Sequence, residues 1–163
     1  MEGKRYKWLF IFILFSADGL TSESQHLALI NGHWHCVQNI KESEVTVKIT
    51  SKYSYNASEY TYIYEAVSKY KYLDKLDVGS INVRIKGSFT YKESKMKYTT
   101  AQIQTNIISN PLGGISTDMI KDLEQAFRED TTEYHTTLIT DTEWETVDPT
   151  NNEKTRCFRQ PSK

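Results

Sequence analysis

From Glu44 onward, apolar and polar residues alternate with a period of two, and this pattern constrains the chain more than any other feature. Successive side chains of a strand point to opposite faces, so such a segment makes a sheet with one apolar and one wet face. In the stretch 44–55, Val45, Val47, Ile49, Ser51, Tyr53 and Tyr55 share one side, and Thr46, Lys48, Thr50, Lys52 and Ser54 the other. Asn56-Ala57-Ser58 reads as a turn, and 59–70 returns with Tyr60, Tyr62, Tyr64 and Ala66 together. A polar loop over 74–79 leads into the clearest strand, 80–92, where Ile81, Val83, Ile85, Phe89 and Tyr91 face one way. Gly87 lies on that same face, a position that marks a sharp bend or a close backbone approach. The stretch 96–109 runs back with Met96 and Tyr98 inward. Its later half is polar on that face, which leaves its inward register open.

Asn110-Pro111-Leu112-Gly113-Gly114 interrupts the sheet. Ser116 or Thr117 then caps a helix expected over about 117–128, with Asp118 at its positive end. Ile115, Met119, Leu123 and Phe127 recur at helical spacing, so the helix is expected to cover a barrel mouth or wall. Short strands over 133–140, 143–147 and 154–159 follow, and Asp148-Pro149-Thr150-Asn151-Asn152 supplies strong turn chemistry. With a first strand over 33–40 the count is eight. The expectation is an all-β chain with one helix: an eight-stranded antiparallel up-and-down barrel occupying 20–163.

The first 19 residues read as a secretory signal peptide. Lys4, Arg5 and Lys7 precede the unbroken apolar run Trp8–Phe15, and Ala17-Asp18-Gly19 offers small residues for cleavage. The run is shorter than the ~20 residues a spanning helix needs. An uncleaved anchor is the alternative. Export to a secreted or periplasmic location places Cys36 and Cys157 in an oxidising compartment, where a pair of cysteines forms a disulfide. Two separate buried thiols are the other possibility.

With an even number of antiparallel strands, the first and last are neighbours. Facing residues in such a pair have a constant index sum. Pairing Cys36 with Cys157 therefore also sets Trp34 opposite Arg159, on the same face as the cysteines. One registration yields both a disulfide and an indole beneath a guanidinium. A bond between directly facing residues is tight, so an offset pairing is the alternative.

Leu29-x-x-Gly32-x-Trp34-x-Cys36, closing with Cys157-x-Arg159, resembles the conserved structural corner of the lipocalins and related calycin barrels. It is also similar to small exported bacterial proteins of lipocalin-like type. The resemblance covers the two ends, and the middle agrees in strand order and length. Two features depart from lipocalins: their other signature motifs are absent, and the helix falls between strands five and six. The resemblance implies a barrel fold and binding of a small ligand.

Chemistry is sparse. His33, His35 and Cys36 form an H-x-H-C cluster, but alternation sends the histidines to the face opposite Cys36, so no metal site or other cofactor is expected. Net charge is −1 with acids and bases interspersed, which offers no stripe for nucleic acid. No nucleophile motif or phosphate loop is present, so no enzymatic activity is expected. Tyr53, Tyr55, Tyr60, Tyr62, Tyr64, Tyr91, Tyr98 and Tyr134 mostly share the apolar faces of their strands. They form either a filled aromatic core or the wall of a cavity for a flat or amphipathic ligand. A monomer that binds a small hydrophobic or aromatic ligand is the leading expectation. An inhibitor or immunity-type protein that recognises a protein partner through loops 71–79 and 110–117 is the alternative.

Overall fold

The computed structural model describes residues 18–161. The basic start and apolar run of the expected signal lie outside the described residues. Eight strands follow one another in a ring: β1 (Gly32–Glu42), β2 (Val45–Asn56), β3 (Thr61–Tyr72), β4 (Leu76–Lys92), β5 (Lys95–Ser109), β6 (Glu133–Ile139), β7 (Glu143–Val147) and β8 (Lys154–Arg159). Each pairs antiparallel with the next, and β8 pairs with β1 to close the barrel. Closure leaves no strand without two neighbours, although β5 pairs with β6 only through Lys95–Lys97. Beyond that short ladder α2 (Thr117–Glu129) packs against β5. Ser116 caps this helix by accepting from the Met119 amide at 3.1 Å, which satisfies a backbone donor the helix itself cannot.

A second helix, α1 (Asp18–Ile30), corrects the expectation of one. It stoppers one end of the barrel, with Ile30 fully buried and Leu27 packed on the core. His26 Nδ1 lies 2.8 Å from the Tyr91 hydroxyl, which ties helix to barrel. Among the described residues no helix is long and apolar enough to cross a membrane.

The sheet ends meet as the index sum requires. Cys36 faces Cys157 directly, their Cα atoms 4.1 Å apart, and they are joined by a disulfide. Trp34 faces Arg159, whose guanidinium carbon sits 4.4 Å from the indole centroid. The buried indole donates to the Ile30 carbonyl at 2.8 Å and meets Trp144 edge-on at 5.7 Å. Arg159 donates to the carbonyls of Asn31 at 2.8 Å, of Asp141 at 2.5 Å and of Leu29. Gly32 adopts φ +112°, and a Cβ there would come within 2.9 Å of the Arg159 guanidinium. Only glycine accepts that backbone and that neighbour together.

Register shifts settle the open half of β5. Gly87 faces Thr100 while Lys86 faces Gln102, so Ala101 is the extra residue of a bulge. Before it Met96, Tyr98 and Thr100 face the interior; after it Ile103 does, opposite Ile85. The apolar face has moved from even to odd positions, and this is why strict alternation failed to trace it. Gly87 sits in the resulting close approach: a Cβ would lie 2.1 Å from the Thr99 carbonyl oxygen. A similar shift between Thr136 and Leu138 leaves Leu138 exposed and packs Ile139 on the core.

The expected loop over 74–79 is shorter than its polarity suggested. Tyr72 pairs with Leu76, so β4 begins before Gly79. Leu73 and Asp74 both take positive φ at the reversal.

Candidate functional site

Inward-facing tyrosines from β2, β3, β5 and β6 line an interior cavity of about 260 Å³. The same side chains belong to the packed aromatic core and border this partly open cavity. The volume is just below the ~300–1,000 Å³ usual for small-molecule sites, so the space suits a compact occupant.

Tyr53, Tyr55, Tyr62, Tyr64, Tyr98 and Tyr134 all border the cavity. They form a continuous aromatic lining: Tyr53 meets Tyr64 at 4.7 Å, Tyr62 meets Tyr98 edge-on at 4.9 Å, and Tyr98 meets Tyr134 at 5.8 Å. Trp144 from β7 adds an indole 5.4 Å from Tyr55, and Phe127 from α2 stands 6.3 Å from Tyr64. Such offset and edge contacts are the favoured aromatic geometries, and they hold the walls in place.

Two of the expected tyrosines are elsewhere. Tyr60 is a correction: it occupies the turn between β2 and β3 at φ +52° and is 44% exposed, so it does not face inward. Its ring leans on Phe89 at 5.7 Å from outside the ladder. Tyr91 does point into the barrel but lies at the end closed by α1, bonded to His26 and remote from the cavity lining.

Hydroxyl groups give this apolar space a polar texture. Tyr55 and Tyr98 share a hydrogen bond of 2.6 Å, and Tyr134 donates to Asp130 at 3.1 Å. Burial pushes the phenols of Tyr53, Tyr55, Tyr64, Tyr98 and Tyr134 well above their ordinary range, with neighbouring tyrosines adding to the shift at several of them and the Asp130 carboxylate at Tyr134. All five therefore stay neutral at physiological pH. The Tyr53 hydroxyl has no protein hydrogen-bond partner among the described residues, and the side chain borders the cavity.

No family model and no curated protein matches this chain.

The rim was missed by sequence reasoning. Asp130 follows α2, Asp148 follows β7 and Glu153 precedes β8; all three border the cavity, and the β7–β8 connection lies at the barrel end opposite α1. Glu153 accepts from the Gln38 amide at 3.0 Å, and Asp148 accepts from the backbone and hydroxyl of Thr150 at 2.8 and 2.6 Å. The turn chemistry at 148–152 pointed to a reversal but not to what that reversal overhangs.

His33 and His35 are on the outer face, as alternation requires. His33 Nδ1 lies 2.8 Å from Ser54 Oγ, and Cys36 is committed to the disulfide. Among the described residues no three His, Cys, Asp or Glu side chains are grouped to hold a metal ion.

Proposed function

We propose that the chain is an exported, non-enzymatic barrel of lipocalin-like type that holds one small hydrophobic or aromatic ligand. The observation that carries this reading is the partly open aromatic cavity of about 260 Å³ in the barrel. The cavity's walls are rigid and apolar with a few oriented hydroxyls, which is the composition of a small-molecule site. The disulfide suits the oxidising environment of a periplasmic or secreted protein.

Native mass spectrometry of the protein purified without denaturant tests this reading. The expected result is a monomer carrying an extra small mass that is released on unfolding. Thermal shifts with a panel of compact aromatic compounds complete the test. An empty protein that no panel member stabilises would overturn the ligand-carrier reading.

A second reading has an observation of its own. Leu73, Leu76 and Leu112 are each at least half exposed in the segments around 71–79 and 110–117. Exposed leucines in or beside strand connections favour recognition of a protein partner. Replacing all three with serine would weaken a cross-linked complex recovered from the exported fraction, and unchanged recovery would remove this reading.

A further inference from the structure

The charge distribution around the cavity narrows the ligand class. Asp130, Asp148 and Glu153 border it, and no lysine, arginine or histidine does. Among the described residues none of these three carboxylates is in an ion pair. Their identified partners are neutral: the Gln38 amide, the Tyr134 and Thr150 hydroxyls, and backbone N–H groups. On the outer face of the barrel Glu143, Glu145, Glu65 and Glu133 each have a lysine or arginine within 4.0 Å. The carboxylates at the cavity share the lack of a countercharge with others on the surface, such as Glu59, Asp77 and Asp141, and differ from them in bordering an aromatic cavity.

Deeper in, the potential has the same sign. Aromatic faces present the negative side of their quadrupole, and a cation held against several of them is attracted to each. The Tyr53 side chain borders the cavity and its hydroxyl has no protein hydrogen-bond partner among the described residues, which leaves it available to an occupant. Three requirements then meet in one molecule: a cationic head for the acidic rim, a flat body for the tyrosine walls, and a hydrogen-bonding atom at the inner end.

We propose that the physiological ligand is a compact aromatic amine, bound with its ammonium at Asp148 and Glu153 and its ring among the tyrosines. This deepens the ligand-carrier reading and rests on it. An acidic or neutral hydrophobe of the same shape would occupy the same walls without satisfying the rim, and an anion would meet three carboxylates.

The test is isothermal titration of the disulfide-closed protein with three probes that share a hydroxyphenyl body and differ at the head: tyramine, tyrosol and hydroxyphenylpropionate. Tyramine is expected to bind at least about tenfold more tightly than tyrosol, a difference of ~1.4 kcal/mol, and hydroxyphenylpropionate most weakly. The preference should shrink as salt is raised, because the rim is only half-buried. In a Glu153→Gln, Asp148→Asn double variant the advantage of tyramine is lost while tyrosol binds as before, and retained tyrosol binding also reports an intact barrel. Phenethylamine, lacking the ring hydroxyl, should bind the wild type more weakly than tyramine, and Tyr53→Phe should erase that difference. Equal binding of tyramine and tyrosol would overturn the amine assignment and leave the cavity reading standing. Binding of none of these probes, together with no stabilisation by the aromatic panel, would overturn both.

Discussion

Trp34 shows how one residue joins both termini of the barrel. Its indole is fully buried, donates to Ile30, meets Trp144 on one side and lies under Arg159 on the other. Truncation to alanine removes a large side chain from a site walled by strands that cannot collapse, so Trp34→Ala should lose roughly 3–5 kcal/mol in chemical denaturation. Arg159→Lys keeps the charge but not the planar fork that reaches three carbonyls. A loss of about 1–3 kcal/mol is expected, read as a lower denaturation midpoint at unchanged slope. Lysine performing as well as arginine would show that charge alone is used. The Gly32-x-Trp34 spacing and Arg159 were legible because index sum and alternation are arithmetic. Tyr60 misled because its own left-handed φ ends the alternation one residue early, and nothing in the local composition separates a turn tyrosine from a strand tyrosine.

At the level of elements, strands and turns followed their local chemistry closely, and α2 runs Thr117–Glu129 against an expected 117–128. Bulges did not follow. The bulge at Ala101 reverses which face of β5 is inward, and it is held by Gly87, whose missing side chain makes room for the Thr99 carbonyl. Gly87→Ala drives a Cβ into that backbone oxygen and should destabilise by about 1–3 kcal/mol. Gly113→Ala serves as the comparison: it has open space around it but φ +67°, so only backbone strain of about 1 kcal/mol applies. Thermal denaturation of both variants separates collision from strain. Similar midpoints would mean that β5 relaxes around the new methyl. The first helix went unread, although Leu27 and Ile30 one turn apart, followed by Asn31-Gly32, were its available signal.

For the whole molecule, closure and the tyrosine interior set the stability. The disulfide links residues 121 apart in sequence, and in the chain-entropy model its reduction should lower stability by up to about 5 kcal/mol. Denaturation with and without reductant measures this directly, and coincident curves would show that the ladder between β1 and β8 closes the barrel alone. The buried phenols predict alkaline sensitivity with a definite sign. Their folded pKa values lie above the unfolded value near 10. Stability is therefore complete below pH ~10 and falls as pH rises beyond it, by up to ~1.4 kcal/mol per unit for each such tyrosine. Tyrosinate absorbance should lag in the folded protein and appear together with loss of structure. A smooth titration near pH 10 with the fold intact would show the phenols to be wet. The sequence by itself determined the strands, the turns, the helix α2 and the pairing of the barrel's ends, because period, turn chemistry and index sum act over a few residues or follow from strand parity. Only the tertiary structure decided that the tyrosines line a cavity and that three carboxylates from two connections border it. Both depend on register shifts and strand closure, which bring together residues as distant as Gln38 and Glu153 and whose energies lie in contacts between strands.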